Sequence, residues 1–225
     1  MRILIQYHER LGDILRMLPL AKHFHDKGNE VLLECKDEYK DIFNCVSYVK
    51  HKPIDAMYEN IDFVFNRQIW PWLYDEYRES GMKWEKFVYG GFCEEAVGQK
   101  IVLDRLPESK PAEEYNLVAP FGISQVNRIE PTMVIKKALQ IYGVEKMLVL
   151  CPTRELAEGL VICKGHHCNT ITEMVTLIKN AKNFLGINSS PAVVASAVRG
   201  QYDWIADGSF GGQDDYGTWA TRVYL

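Results

Sequence analysis

The chain has 225 residues, of which 47% are hydrophobic and 25% charged, with a formal net charge of −4. That balance can fill one large or two small globular cores, and it excludes a general electrostatic pull toward a nucleic-acid backbone or an anionic membrane, leaving room only for a local basic patch. The longest apolar stretches fall far short of the roughly 20 residues that a membrane span needs. The opening Met-Arg-Ile-Leu-Ile-Gln-Tyr-His-Glu-Arg is a short apolar run broken by charges, not a secretory signal, so a cytoplasmic protein is expected. The cysteines (Cys35, Cys45, Cys93, Cys151, Cys163 and Cys168) are scattered, mostly beside apolar residues, and read as reduced thiols.

In chain order, Ile3-Leu-Ile5 reads as a buried strand, followed by a turn through Gly12-Asp13. Ile14, Leu15, Leu18, Ala21 and Phe24 then recur at helical spacing, and Gly28 closes that helix. Glu30-Val-Leu-Leu-Glu34 is a second strand, which completes a βαβ unit and predicts a parallel sheet. A short helix over Tyr39–Cys45 and weak strands near Ser47–Val49 and Asp62–Phe65 follow. Residues 68–95 are dense in aromatic side chains, which either stack on sugars or bases or pack a core, and packing is the commoner use. A helix over Glu94–Leu106 is expected to complete a first domain, residues 1–109, with the polar, proline-bearing segment 107–114 as linker.

The second domain, residues 115–225, restarts the pattern. Strands are predicted over Tyr115–Ala119, Met147–Leu150, Leu160–Cys163 and Phe184–Ile187. Helices are predicted from Pro131 to about Tyr142, over Thr170–Asn180 with a threonine cap, and over Asn188–Ala197 with a cap serine and Pro191 in its first turn. The expected class is α/β, two Rossmann-like parallel-sheet domains in tandem with a cleft between them.

Open parallel sheets bind ligands at the carboxyl ends of their strands, which singles out three loops. Glu9-Arg-Leu-Gly-Asp13 lacks a glycine fingerprint, and Asp13 is there either a helix cap or a catalytic carboxylate. Residues 122–131 carry Ser124, Asn127 and Arg128, able to present a hydroxyl and a guanidinium to phosphate. Asn188-Ser189-Ser190 opens a helix whose free N–H groups suit an anion. Cys163-Lys-Gly-His-His-Cys168 has metal-capable residue types, but five residues offer cramped geometry for a zinc site, so a βα loop is the simpler reading and no metal site is assigned.

Arg10-Leu-Gly-Asp-Ile-Leu-Arg-Met-Leu-Pro-Leu20, after the opening strand, resembles the start of the ADP-heptose:lipopolysaccharide heptosyltransferases (glycosyltransferase family 9). Val118-Ala-Pro-Phe-Gly…Arg128-Ile-Glu-Pro131 is similar to the family's phosphate-binding loop with its Lys-x-x-Pro ending. The run from Thr170 to Ala197 resembles its helix–strand–Asp-Ser-Gly-Pro-x-His signature. The resemblance spans most of the chain in register and is weakest over residues 50–110.

It implies a GT-B fold, smaller than usual, with an acceptor-side first domain and a donor-side second one. It implies transfer of a sugar from a nucleoside-diphosphate sugar to an acceptor hydroxyl, with Asp13 as general base beside Gly12. Arg128, in place of the family's lysine, would neutralise the departing diphosphate with help from Ser124, and Glu155 would hold ribose hydroxyls. Asn188, Ser189 and Ser190 would line the donor, and no cofactor or obligatory metal is implied. Asn188, Ser190 and Val193 replace the family's aspartate, glycine and histidine at positions expected to face the donor, so sugar and nucleotide stay open. The acceptor is a glycan or another hydroxyl; a modified DNA base is open but disfavoured by the acidic balance. Two other readings stand beside this one: a non-catalytic nucleotide-sugar-binding protein of the same fold, and an epimerase-like nicotinamide enzyme, against which the missing glycine fingerprint counts. The glycine- and acid-rich segment 207–217 reads as a solvated loop or a cover for the donor sugar.

Overall fold

A computed structural model describes residues 1–8, 10–57, 60–69, 72–109, 111, 113–122, 129–205 and 220–223, with only the backbone described for Trp204 and for 220–223. The chain divides into two compact units, Met1–Leu106 and a second running from Pro107.

The first unit opens with β1 (Arg2–Gln6), whose Ile3, Leu4 and Ile5 are buried. The chain enters helix α1 (Leu11–Arg16) and then α2 (Leu18–Asp26). Sequence spacing predicts one helix here after a Gly12-Asp13 turn; the structure instead has both residues inside the first turn of α1, with Arg10 as the cap residue. The break falls at Met17, because Pro19 in the first turn of α2 has no N–H to continue the ladder. Gly28, at φ +83°, stops α2 and donates to the His25 carbonyl at 2.8 Å. β2 (Glu30–Glu34), β3 (Lys50–Lys52) and β4 (Phe63–Asn66) complete a four-stranded parallel sheet of order β3-β2-β1-β4. A 3₁₀ helix over Asp37–Cys45 precedes β3.

The aromatic region serves mainly as packing. It forms α3 (Tyr74–Ser80), a π-helical turn over Lys86–Gly90 and a 3₁₀ turn over Glu94–Ala96, and Tyr77, Trp84, Phe87 and Tyr89 are buried while Trp72 is 84% exposed. The helix expected over Glu94–Leu106 ends after that one turn. Val97 turns extended and Gly98 takes φ +74°, and the strap beyond it buries Ile101 and Leu103 and ties back through Tyr48 Oη to the Val102 carbonyl and Arg105 N–H to the Cys45 carbonyl.

The second unit holds six parallel strands: β5 (Asn116–Ala119), β6 (Met147–Cys151), β7 (Lys164–His167), β8 (Asn183–Ile187), β9 (Tyr202–Ile205) and β10 (Ala220–Val223). Their order, β10-β9-β8-β5-β6-β7, is the doubly wound Rossmann order 3-2-1-4-5-6; the first sheet repeats its 3-2-1-4 part. Between the strands run α4 (Pro131–Tyr142), α5 (Arg154–Glu158), α6 (Ile171–Asn180) and α7 (Ser190–Val198). Thr170 caps α6, its hydroxyl accepting the Glu173 N–H at 3.0 Å. The strand expected over Leu160–Cys163 is displaced. Val161 is 96% exposed, and the strand is the following Lys-Gly-His-His segment, read from sequence as a loop. Gly165 is what seats it: a Cβ there would stand 2.3 Å from the Ala157 carbonyl oxygen of α5.

Gly165→Ala forces β7 and α5 apart. The expected loss is about 1–3 kcal/mol, the usual cost of overpacking, read as a lower midpoint in urea unfolding with an unchanged slope.

Candidate functional site

Both sheets are doubly wound, so each has a switch point where successive connections leave in opposite directions, and ligands bind outside the carboxyl ends of the strands there. In the first sheet that point lies between β1 and β4; in the second, between β5 and β8.

At the carboxyl edge of the first sheet Tyr7 is fully buried against Trp84, ring centroids 5.7 Å apart. Its hydroxyl stands 3.5 Å from Asp13 Oδ2, a long contact. Burial, then the Asp13 charge, push the Tyr7 phenol well above its usual range, whereas Arg16 and Arg10 pull it down. Asp13 is half-buried at the third position of α1, where the helix dipole favours a carboxylate. No side chain caps this helix, so Asp13 is not its N-cap.

At the ends of β2 and β3 lies a polar group that sequence reasoning missed. Glu34, 1% exposed at the end of β2, accepts Gln6 Nε2 at 2.9 Å and Lys52 Nζ at 3.0 Å, and meets His8 Nε2 at 2.6 Å. Lys52, 6% exposed, also donates to the Pro53 and Ala56 carbonyls. Gln68 clasps His8, its Nε2 lying 3.3 Å from Nδ1 while its Oε1 accepts the His8 N–H. These partners select the tautomer with Nε2–H toward Glu34. The available signal was Glu34 closing the otherwise buried Val31-Leu-Leu33 run of β2; Lys52 ends an edge strand whose Lys50 is exposed, so its burial carried no such signal. β2 is an interior parallel strand, and such strands bury both faces.

At the second sheet's switch point, β5 and β8 pair in register, Ala119 beside Gly186, so the chain leaving β5 and the N-terminus of α7 emerge side by side. Ser189 occupies the cap position of α7, but its hydroxyl donates back to the Ile187 carbonyl at 3.1 Å and makes no cap bond. Asn188 and Ser190 flank it, half-buried. Val193 is buried with the apolar body of α7. Ser124, Asn127 and Arg128 lie outside the described residues, as does segment 207–217.

Glu155 is in the first turn of α5. Its carboxyl is held below the usual range by its own backbone N–H and then the Thr153 hydroxyl. The structure thus gathers Gly12 and Asp13 at the edge of the first sheet, and Glu155, Asn188, Ser189 and Ser190 at the ends of β6 and β8 in the second.

Glu34→Gln should cost about 3–5 kcal/mol, because it strands the buried Lys52 ammonium. The double change Glu34→Leu with Lys52→Met should recover most of that loss in equilibrium unfolding.

No protein-family model matches the sequence, and no curated protein sequence matches it. Solved structures do match. The iron-containing dodecameric glycosyltransferase TibC from enterotoxigenic E. coli H10407 is similar at TM-score 0.71 and 16% identity, over 97% of this chain and 63% of that one. A glycosyl transferase family 9 protein from Veillonella parvula DSM 2008 is similar at 0.68 and 8%, over 100% and 86%. E. coli heptosyltransferase WaaC, solved with ADP, is similar at 0.61 and 12%, over 100% and 93%. The chain thus spans less than two thirds of TibC's length. At these identities the likeness is one of fold: two Rossmann-like parallel sheets, of the GT-B type that heptosyltransferases adopt.

Proposed function

We propose that the chain is a glycosyltransferase, heptosyltransferase-like, that moves a sugar from a nucleoside-diphosphate sugar to an acceptor hydroxyl. The observation that carries this reading is Asp13, half-buried in the first turn after β1 at the first sheet's switch point, where it has no capping role. The first unit would take the acceptor and the second the donor. ADP in the WaaC structure and ADP-D-beta-D-heptose in a TibC structure support a nucleotide-sugar donor.

In this mechanism the Asp13 carboxylate removes the acceptor proton as the acceptor oxygen bonds to the anomeric carbon. The hydroxyl becomes acidic only as that bond forms, so a carboxylate of ordinary basicity suffices. The bond from the anomeric carbon to the diphosphate oxygen breaks at the same time, and negative charge grows on the leaving group. The N-terminal amides of α7 would meet that charge, with Ser189 turned toward Ile187 and away from them. Arg128 and Ser124 would add a guanidinium and a hydroxyl, and Glu155 would bind ribose. Charge compensation is assigned to side chains and helix ends, with no obligatory metal. The Glu34–Lys52–His8 group would brace the carboxyl edge of the same sheet.

Thermal unfolding with ADP-, UDP-, GDP- and CDP-sugars should single out one nucleotide, which at a hundredfold excess over its Kd adds about 2.7 kcal/mol. Asp13→Asn should keep that stabilisation while sugar transfer, followed by mass spectrometry, falls about 10²–10⁴-fold. Undiminished turnover in Asp13→Asn removes the proposed base. Nucleotide-sugar binding without transfer or donor hydrolysis favours a non-catalytic binding protein.

A further inference from the structure

The outer edge of the second sheet carries side chains that the transfer chemistry does not use. β7 alternates as a strand must. His167 and Cys163 lie to one side, the first with Nδ1 3.3 Å from the Cys151 carbonyl oxygen, the second packed on the core cluster with Ala157 and Leu160. His166, and Cys168 just past the strand, share the opposite parity. There the first turn of α6 returns Glu173 to them, five residues beyond Cys168 in sequence.

Glu173 Oε1 lies 3.0 Å from His166 Nε2, and Oε2 accepts the Asn169 N–H at 2.8 Å. The ligand atoms of His166, Cys168 and Glu173 all lie within 4.8 Å of one another. In a tetrahedral zinc site, nitrogen and oxygen ligands at about 2.0–2.1 Å stand roughly 3.3 Å apart, and a thiolate at about 2.3 Å stands roughly 3.5 Å from either. Side-chain rotations on the order of an ångström therefore close the triad on one ion. The Asn169 amide fixes the carboxylate from behind, as outer-shell donors do at metal sites. His166 and Glu173 are each about a third exposed, which leaves water access to a fourth position.

We propose that His166 Nε2, Cys168 Sγ and Glu173 Oε1 bind a divalent zinc-type cation with one open position, clamping edge strand β7 to α6. Cys168 enters as thiolate and releases its proton to the buffer on binding. The contiguous sequence motif hid this site. Two of its members, Cys163 and His167, lie on the other side of the strand, and the carboxylate comes from the next helix. A second triad, His23, Cys93 and Glu95 in the first unit, meets the same distance limit. Its carboxylate is exposed, and it is met by the Cys93 thiol at 3.8 Å where Glu173 has His166 at 3.0 Å; it serves as the control.

The test uses the full chain, stripped with chelator and titrated with Co(II) and then Zn(II). The expected result is a thiolate-to-cobalt charge-transfer band and a zinc-dependent rise in Tm. Cys168→Ser should abolish the band that Cys93→Ser retains, and His166→Ala should weaken zinc binding by more than the roughly 10–100-fold lost with an outer-shell partner. Equal Tm values in chelator show that the variants fold. Wild-type metal affinity in both Cys168→Ser and His166→Ala, or a cobalt complex with no thiolate band, overturns the proposal. Neither readout depends on sugar transfer.

Discussion

Every strand pairing in both sheets is parallel, and this constraint decides where polar chemistry can stand. A parallel pair needs a crossover between its strands, so helices and straps cover both faces of the sheet and the strand interiors must be apolar. Ile3, Leu4 and Ile5 in β1, and Phe184, Leu185 and Ile187 in β8, are buried accordingly. What remains for charged groups is the carboxyl edge, where the chain turns into its next helix. Asp13, Glu34, Lys52 and His8 all stand there in the first unit, and Glu155, Asn188 and Ser189 stand there in the second.

Within that frame the Glu34–Lys52 pair tolerates its burial because both members are fully engaged. The carboxylate has donors from Gln6, Lys52 and His8, and the ammonium has acceptors in Glu34, Pro53 and Ala56. A buried pair is a poor source of net stability but a strict specifier of geometry when all its lone pairs and protons are used. It ties the ends of β2 and β3 to Gln6 at the end of β1 and to His8 just beyond it.

Much of this fold was legible from local pattern. The first βαβ unit, α4 with its leading proline, the Thr170 cap of α6 and the β8–α7 turn each carry their own periodicity and punctuation, and the structure has them at or within a few residues of the expected positions. The failures have physical causes. Val161 and Ile162 look like strand residues yet are exposed, while the true edge strand is made of lysine, glycine and histidine. An edge strand need not be apolar, so hydrophobic runs cannot find it. The His8–Glu34–Lys52 group joins residues 18 and 26 positions apart, and Glu173 joins His166 across a strand-to-helix turn. Such groupings follow from pairing register, which no single segment encodes. Asp13 could be singled out because its place after the first strand is itself a local signal.

The composition of the outer strands has a consequence for behaviour in solution. Each sheet ends on one side in a cationic strand, Lys50-His-Lys52 in β3 and Lys164-Gly-His-His167 in β7. An outermost strand leaves a row of amide groups ready to recruit a foreign strand, and positive charge is one of the means by which proteins discourage that. The two sheets are therefore guarded against edge-to-edge aggregation on these sides.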